Sequence, residues 1–122
     1  MTYGNSTFVT VGDSGTILTS MDGTTWTSRA SGTVLPVLGV QYVNSIFVAW
    51  GRGGLILTSA DGTKWTSRTT YTSTDLYDVA YGNSKFVAVG ASGTSVTSSD
   101  GVTWTATSNI LYQSAFYAIT TK

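Results

Sequence analysis

Apolar and polar residues alternate along this chain in short runs separated by glycine, asparagine and aspartate. The clearest stretch carries four such runs, 76–81, 85–89, 94–98 and 103–107. They are joined by Gly82-Asn83-Ser84, by residues 90–93 and by Asp100-Gly101. Period-two alternation bounded by turn residues predicts β-strands. An Asp-Gly pair between two such runs is a strong hairpin signal, because glycine accepts positive φ and the aspartate oxygens accept turn N–H groups. All the connections are of hairpin length, so the four runs, A to D in order, predict one antiparallel meander.

The same pattern recurs at a constant spacing of 39 residues, marked by Trp26, Trp65 and Trp104. Dividing the chain into units 1–39, 40–78 and 79–117 leaves the positions of Tyr3, Asn5, Ser6, Phe8, Val9, Gly12, Gly15, Thr19, Ser20, Asp22, Gly23, Trp26 and Thr27 identical in all three. Such likeness reflects recent amplification of one unit or design from a consensus. A four-stranded meander repeated about every 40 residues is the signature of a β-propeller blade. The predicted class is therefore all-β, with three blades in a single repeat domain spanning residues 1–122.

The repeated segments Ser20-Met21-Asp22-Gly23-Thr24-Thr25-Trp26, Ser59-Ala60-Asp61-Gly62-Thr63-Lys64-Trp65 and Ser98-Ser99-Asp100-Gly101-Val102-Thr103-Trp104 resemble Asp-box (BNR) repeats. The lead-in Gly12-Asp13-Ser14-Gly15-Thr16-Ile17-Leu18 is similar to that of the photosystem II stability/assembly factor family, whereas the boxes themselves are also found in sialidase-like propellers. Here Asp and Gly are adjacent, one residue tighter than the usual Ser-x-Asp-x-Gly-x-x-Trp. The resemblance implies a propeller in which the box is a structural element of the C–D turn, remote from any catalytic centre.

Three blades fall short of the four to eight that close a propeller. The chain opens at the end of a strand A, and residues 115–120 occupy the strand A positions of a fourth unit. One blade is thus split between the two ends, the arrangement known as Velcro closure. A homodimer would supply six blades, with each C-terminal strand pairing with the first blade of its partner; a homotrimer with nine blades is the next option. Unpaired strand edges and bare apolar faces on the terminal blades provide the drive.

Composition narrows the chemistry. The 122 residues are 41% hydrophobic, 12% aromatic and 10% charged, with a net charge of zero. All six acidic residues are Asp, and Glu, His and Cys are absent. The commonest nucleophiles, bases and transition-metal ligands are therefore missing, and neither a metal nor another cofactor is expected. Three Lys and three Arg scattered along the chain give no footprint for nucleic acid or an anionic membrane. The chain shows neither a signal-peptide pattern nor a long apolar span, and is expected to be soluble. Asp75 and Asp78 fall on opposite strand faces, which argues against a glycosidase carboxylate pair. A sialidase-type site would need a Glu to activate its Tyr nucleophile, and there is none, so no catalytic residue is assigned.

Variation between the units is concentrated in the B–C turns (13–14, 52–53, 91–92) and the D–A loops (29–36, 68–75, 107–114). In a blade these connections open on one rim, which would carry Arg29, Arg52, Arg68, Tyr71, Asp75 and Tyr112. Loops on a rigid scaffold are where specificity is placed; the competing reading is that they vary because nothing constrains them. Trp50 replaces the Val11 and Val89 of the other units, either filling an interface or offering a stacking platform for a sugar. Two function classes follow: a non-catalytic self-assembling scaffold, and a multivalent lectin-like module that binds glycans with this rim.

Overall fold

The computed structural model describes residues 1–91 and 94–108. Twelve strands among them form three four-stranded antiparallel sheets, each a meander with its strands in sequence order. The first sheet comprises β1 (Thr2–Gly4), β2 (Thr7–Gly12), β3 (Thr16–Ser20) and β4 (Thr27–Arg29). The second comprises β5 (Val37–Val43), β6 (Ile46–Gly51), β7 (Ile56–Ser59) and β8 (Thr66–Arg68). The third comprises β9 (Leu76–Gly82), β10 (Lys85–Gly90), β11 (Thr94–Ser98) and β12 (Thr105–Ser108). These are the predicted blades, A to D in each unit. The C-terminal strand expected at 115–120 lies outside the described residues.

Local chemistry explains each turn. The A–B hairpins place both central residues at positive φ, with Asn5 at 48° and Ser6 at 59° and close equivalents at Asn44, Ser45, Asn83 and Ser84. Two left-handed residues define the turn whose twist matches that of the flanking strands. The B–C connections of the first two units are short turns, Asp13–Gly15 and Arg52–Gly54, whose middle residues Ser14 and Gly53 sit at φ 58° and 71°. Gly54 sits at φ 77°, and a Cβ there would overlap the Thr72 carbonyl. The last strand starts at Thr105, two residues later than the 103 expected, because Asp100 draws the N–H groups of Val102 and Thr103 into the turn.

Alternation along the strands sorts side chains into two interfaces. Val9 and Ile17 of the first sheet pack with Phe47, Ala49 and Leu57 of the second. The intervening residues of that second sheet, Val48, Trp50 and Ile56, face Phe86, Ala88, Val96 and Trp104 of the third. The second sheet is thus buried on both faces, and β6 and β7 read as near-continuous apolar runs.

Each unit also stacks its strand A tyrosine on its strand B phenylalanine, with ring centroids 4.6 Å apart for Tyr3 and Phe8, 4.6 Å for Tyr42 and Phe47, and 4.7 Å for Tyr81 and Phe86. Tyr42 and Tyr81 also pack against the two interfaces. Tyr3, on the outward face of the first sheet, is 56% exposed.

Candidate functional site

The most regular polar construction is the C–D turn. In the first unit the Asp22 carboxylate accepts the N–H groups of Thr24 and Thr25, both at 2.8 Å, and the Ser20 hydroxyl at 2.9 Å. Ser20 Oγ in turn accepts the Gly23 N–H at 2.8 Å. The same bonds recur around Ser59, Asp61 and Gly62, and around Ser98, Asp100 and Gly101. The N–H groups of Thr25 and Thr24, then the Ser20 hydroxyl, hold the Asp22 carboxyl down at about 2. Asp61 and Asp100 are lowered for the same reason, first by the Lys64 and Thr103 N–H groups respectively. These carboxylates are committed to the backbone and are poor proton acceptors.

In the second and third units the tryptophan that ends the segment covers its own phenylalanine. Ring centroids are 6.1 Å apart for Trp65 and Phe47, and 6.0 Å for Trp104 and Phe86. Trp65 Nε1 donates to the Gly62 carbonyl at 2.7 Å, and Trp104 Nε1 to that of Gly101 at 3.0 Å. Trp104 lies in the interface between the second and third sheets and is 1% exposed. Trp65 is half-buried at the interface between the first and second. Among the described residues no sheet covers the face of Trp26, which is 37% exposed.

Of the six residues expected on the variable rim, the five that are described have different surroundings. Arg52 Nη1 lies 3.7 Å from the Asp75 carboxylate, whose other oxygen accepts the Gly53 N–H at 2.9 Å. Asp75 therefore latches the second unit's B–C turn to the D–A loop entering the third, a task the sequence did not reveal. Tyr71 stands on that loop, well exposed. Arg29 Nε donates to Thr19 Oγ1 at 2.9 Å, and the residue also borders a shallow depression with Ser14, Ser31 and Thr33. Arg68 Nε makes the equivalent bond to Thr58 Oγ1 at 2.8 Å. It lines a cavity with Asp61, Lys64 and Asp100, on the side of the C–D turns and not among the variable loops. Tyr112 lies outside the described residues.

Trp50 is separated from all of these. It is 7% exposed and lines a groove of about 560 Å³ where the first strands of the three sheets run side by side. Thr2, Gln41, Asp78 and Tyr81 share this groove. The indole rests on Gly39, where a Cβ would overlap the ring. Neither Trp50 Nε1 nor Gln41 Oε1 has a hydrogen-bond partner. The Trp50 signal was legible as a broken repeat; Gly39 and Gln41, which break it alongside, were not read with it.

Among the described residues no helix is long and apolar enough to cross a membrane, and no three His, Cys, Asp or Glu residues gather in a way that could hold a metal ion. No protein-family model matches the chain, and no curated protein matches it.

Proposed function

We propose that this chain is a non-catalytic β-propeller scaffold that assembles with copies of itself into a closed ring, the homodimer of six blades being the simplest form. One observation carries the reading. The face of the first sheet that bears Tyr3 and Trp26 is the face that, in the second and third sheets, is covered by the preceding blade. Equivalent residues therefore stand in two environments within one chain. A blade of the same kind is the complement that this face is shaped to take, and a second copy of the chain supplies one. Head-to-tail contacts of this type close into rings when their rotation returns on itself.

The absence of His, Cys and Glu supports a non-catalytic role, as does the commitment of Asp22, Asp61 and Asp100 to turn N–H groups. Light scattering after size exclusion tests the assembly. The wild-type chain is expected to elute at twice its 12.8 kDa mass, and Trp26→Arg at the mass of one chain with its β-sheet circular dichroism retained. Val34→Asp, on an exposed loop, should leave the dimer intact. A folded wild-type chain that stays monomeric at every concentration would refute the proposal.

A further inference from the structure

Beyond self-assembly, the structure points to a small-molecule site. The three units are so alike that their departures are informative, and those of the second sheet converge in space. Gly39, at the start of the second sheet, stands where the third sheet has Asp78. Gln41 stands where the others have Thr2 and Ala80, and Trp50 where they have Val11 and Val89. In the fold, Gly39 makes room for the Trp50 indole, and Gln41 and Trp50 line the same groove. Packing alone would have been served by valine, which closes this position in the other units without introducing a polar atom.

The chemistry of the groove is specific. Trp50 Nε1 is a donor without an acceptor and Gln41 Oε1 an acceptor without a donor. Buried polar groups are nearly always paired, so two orphans of opposite sense in one groove call for a group that accepts from one and donates to the other. A hydroxyl does both. The groove, about 560 Å³, has the size of small-molecule sites. Val40 and Val79 supply apolar wall, and Thr2 and Asp78 add polar groups at its margin.

We propose that this groove binds a neutral, polyhydroxylated molecule of monosaccharide size, held by Gln41 and Trp50. Both orphan atoms are buried, where an unmet hydrogen bond costs most. The site is built from residues of a single chain, and its occupancy is independent of ring closure.

The test reads the tryptophan itself. The chain has four tryptophans, so a ¹⁵N-labelled sample gives four indole N–H resonances. The one lost in Trp50→Val, a variant that restores the residue of the other units, belongs to Trp50. Glucose, galactose, mannose, N-acetylglucosamine and myo-inositol are titrated separately into the wild-type protein over the millimolar range. At least one is expected to move the Trp50 resonance saturably. Gln41→Leu, which keeps the side-chain volume, should weaken that binding about tenfold, as the loss of one hydrogen bond does. Spectra as dispersed as the wild type's certify the fold of both variants. No saturable shift with any probe would overturn the proposal, leaving water as the partner of both groups; undiminished binding in Gln41→Leu would overturn it as well, by placing the sugar elsewhere.

Discussion

The three repeat tryptophans offer an internally controlled test of how context sets the worth of a side chain. Trp104 is 1% exposed, and a tryptophan buries about 200 Å². At about 25 cal/mol per Å² its transfer term is about 5 kcal/mol. Measured Trp→Ala costs of about 3–5 kcal/mol agree with this. Its N–H bond to the Gly101 carbonyl adds about 1 kcal/mol. Trp104→Ala should therefore cost about 6 kcal/mol, a large share of the 5–15 kcal/mol that holds a typical domain together.

Trp26 has the same neighbours in sequence but is 37% exposed, and it makes no equivalent of the indole bonds of Trp65 and Trp104. Its truncation opens to solvent and leaves no closed cavity, so Trp26→Ala should cost about 3 kcal/mol in the single chain. With a urea m-value of about 2 kcal/mol/M, the two variants should unfold about 1.5 M apart. Urea titrations followed by circular dichroism at low protein concentration measure this directly. Raising the concentration should narrow the gap as a second copy covers Trp26, because assembly stabilises by mass action. Equal losses for the two variants at the lowest concentration would refute the reasoning that the missing neighbour, and not the residue, sets the cost.

Two further outcomes follow from the turns. Ser6, Ser45 and Ser84 hold positive φ, which costs a residue with a Cβ about 1 kcal/mol, so Ser45→Gly should raise the thermal midpoint by a few degrees; a lowered midpoint would contradict the turn geometry. The lowered carboxyls of Asp22, Asp61 and Asp100 stabilise the fold fully above the ordinary aspartate range near pH 4, and that contribution is lost as pH falls toward the folded value, about 2 for Asp22. Thermal midpoints measured from pH 5 to pH 2 should therefore fall more steeply for the wild type than for Asp22→Asn, and parallel curves would count against the turn bonds as the cause.

Much of the architecture was legible in the chain because it is encoded locally. Period-two alternation gives strands, Asn-Ser and Asp-Gly give tight turns, and the 39-residue spacing repeats the result three times. The aspartate turn was readable to the level of its hydrogen bonds, since donor and acceptor lie within three residues of each other. The displaced start of the last strand follows from the same turn, whose N–H demands override the apparent alternation at 103.

Only the tertiary structure decided what each repeated residue experiences. Trp26, Trp65 and Trp104 are equivalent in sequence, yet they pass from exposed to half-buried to buried, because burial belongs to the neighbouring sheet. Val43 and Ile46 pack against the cluster that holds Trp104, whereas their equivalents in the first unit are the smaller Gly4 and Thr7. Asp75 acquired its latch, and Arg68 left the variable rim, through contacts between segments distant in the chain. Trp50 stood out in the sequence and Gly39 did not; strand pairing lays one against the other. A repeat specifies its own strands and turns, but the energy of a face depends on what is packed against it, and that is a property of the assembled fold.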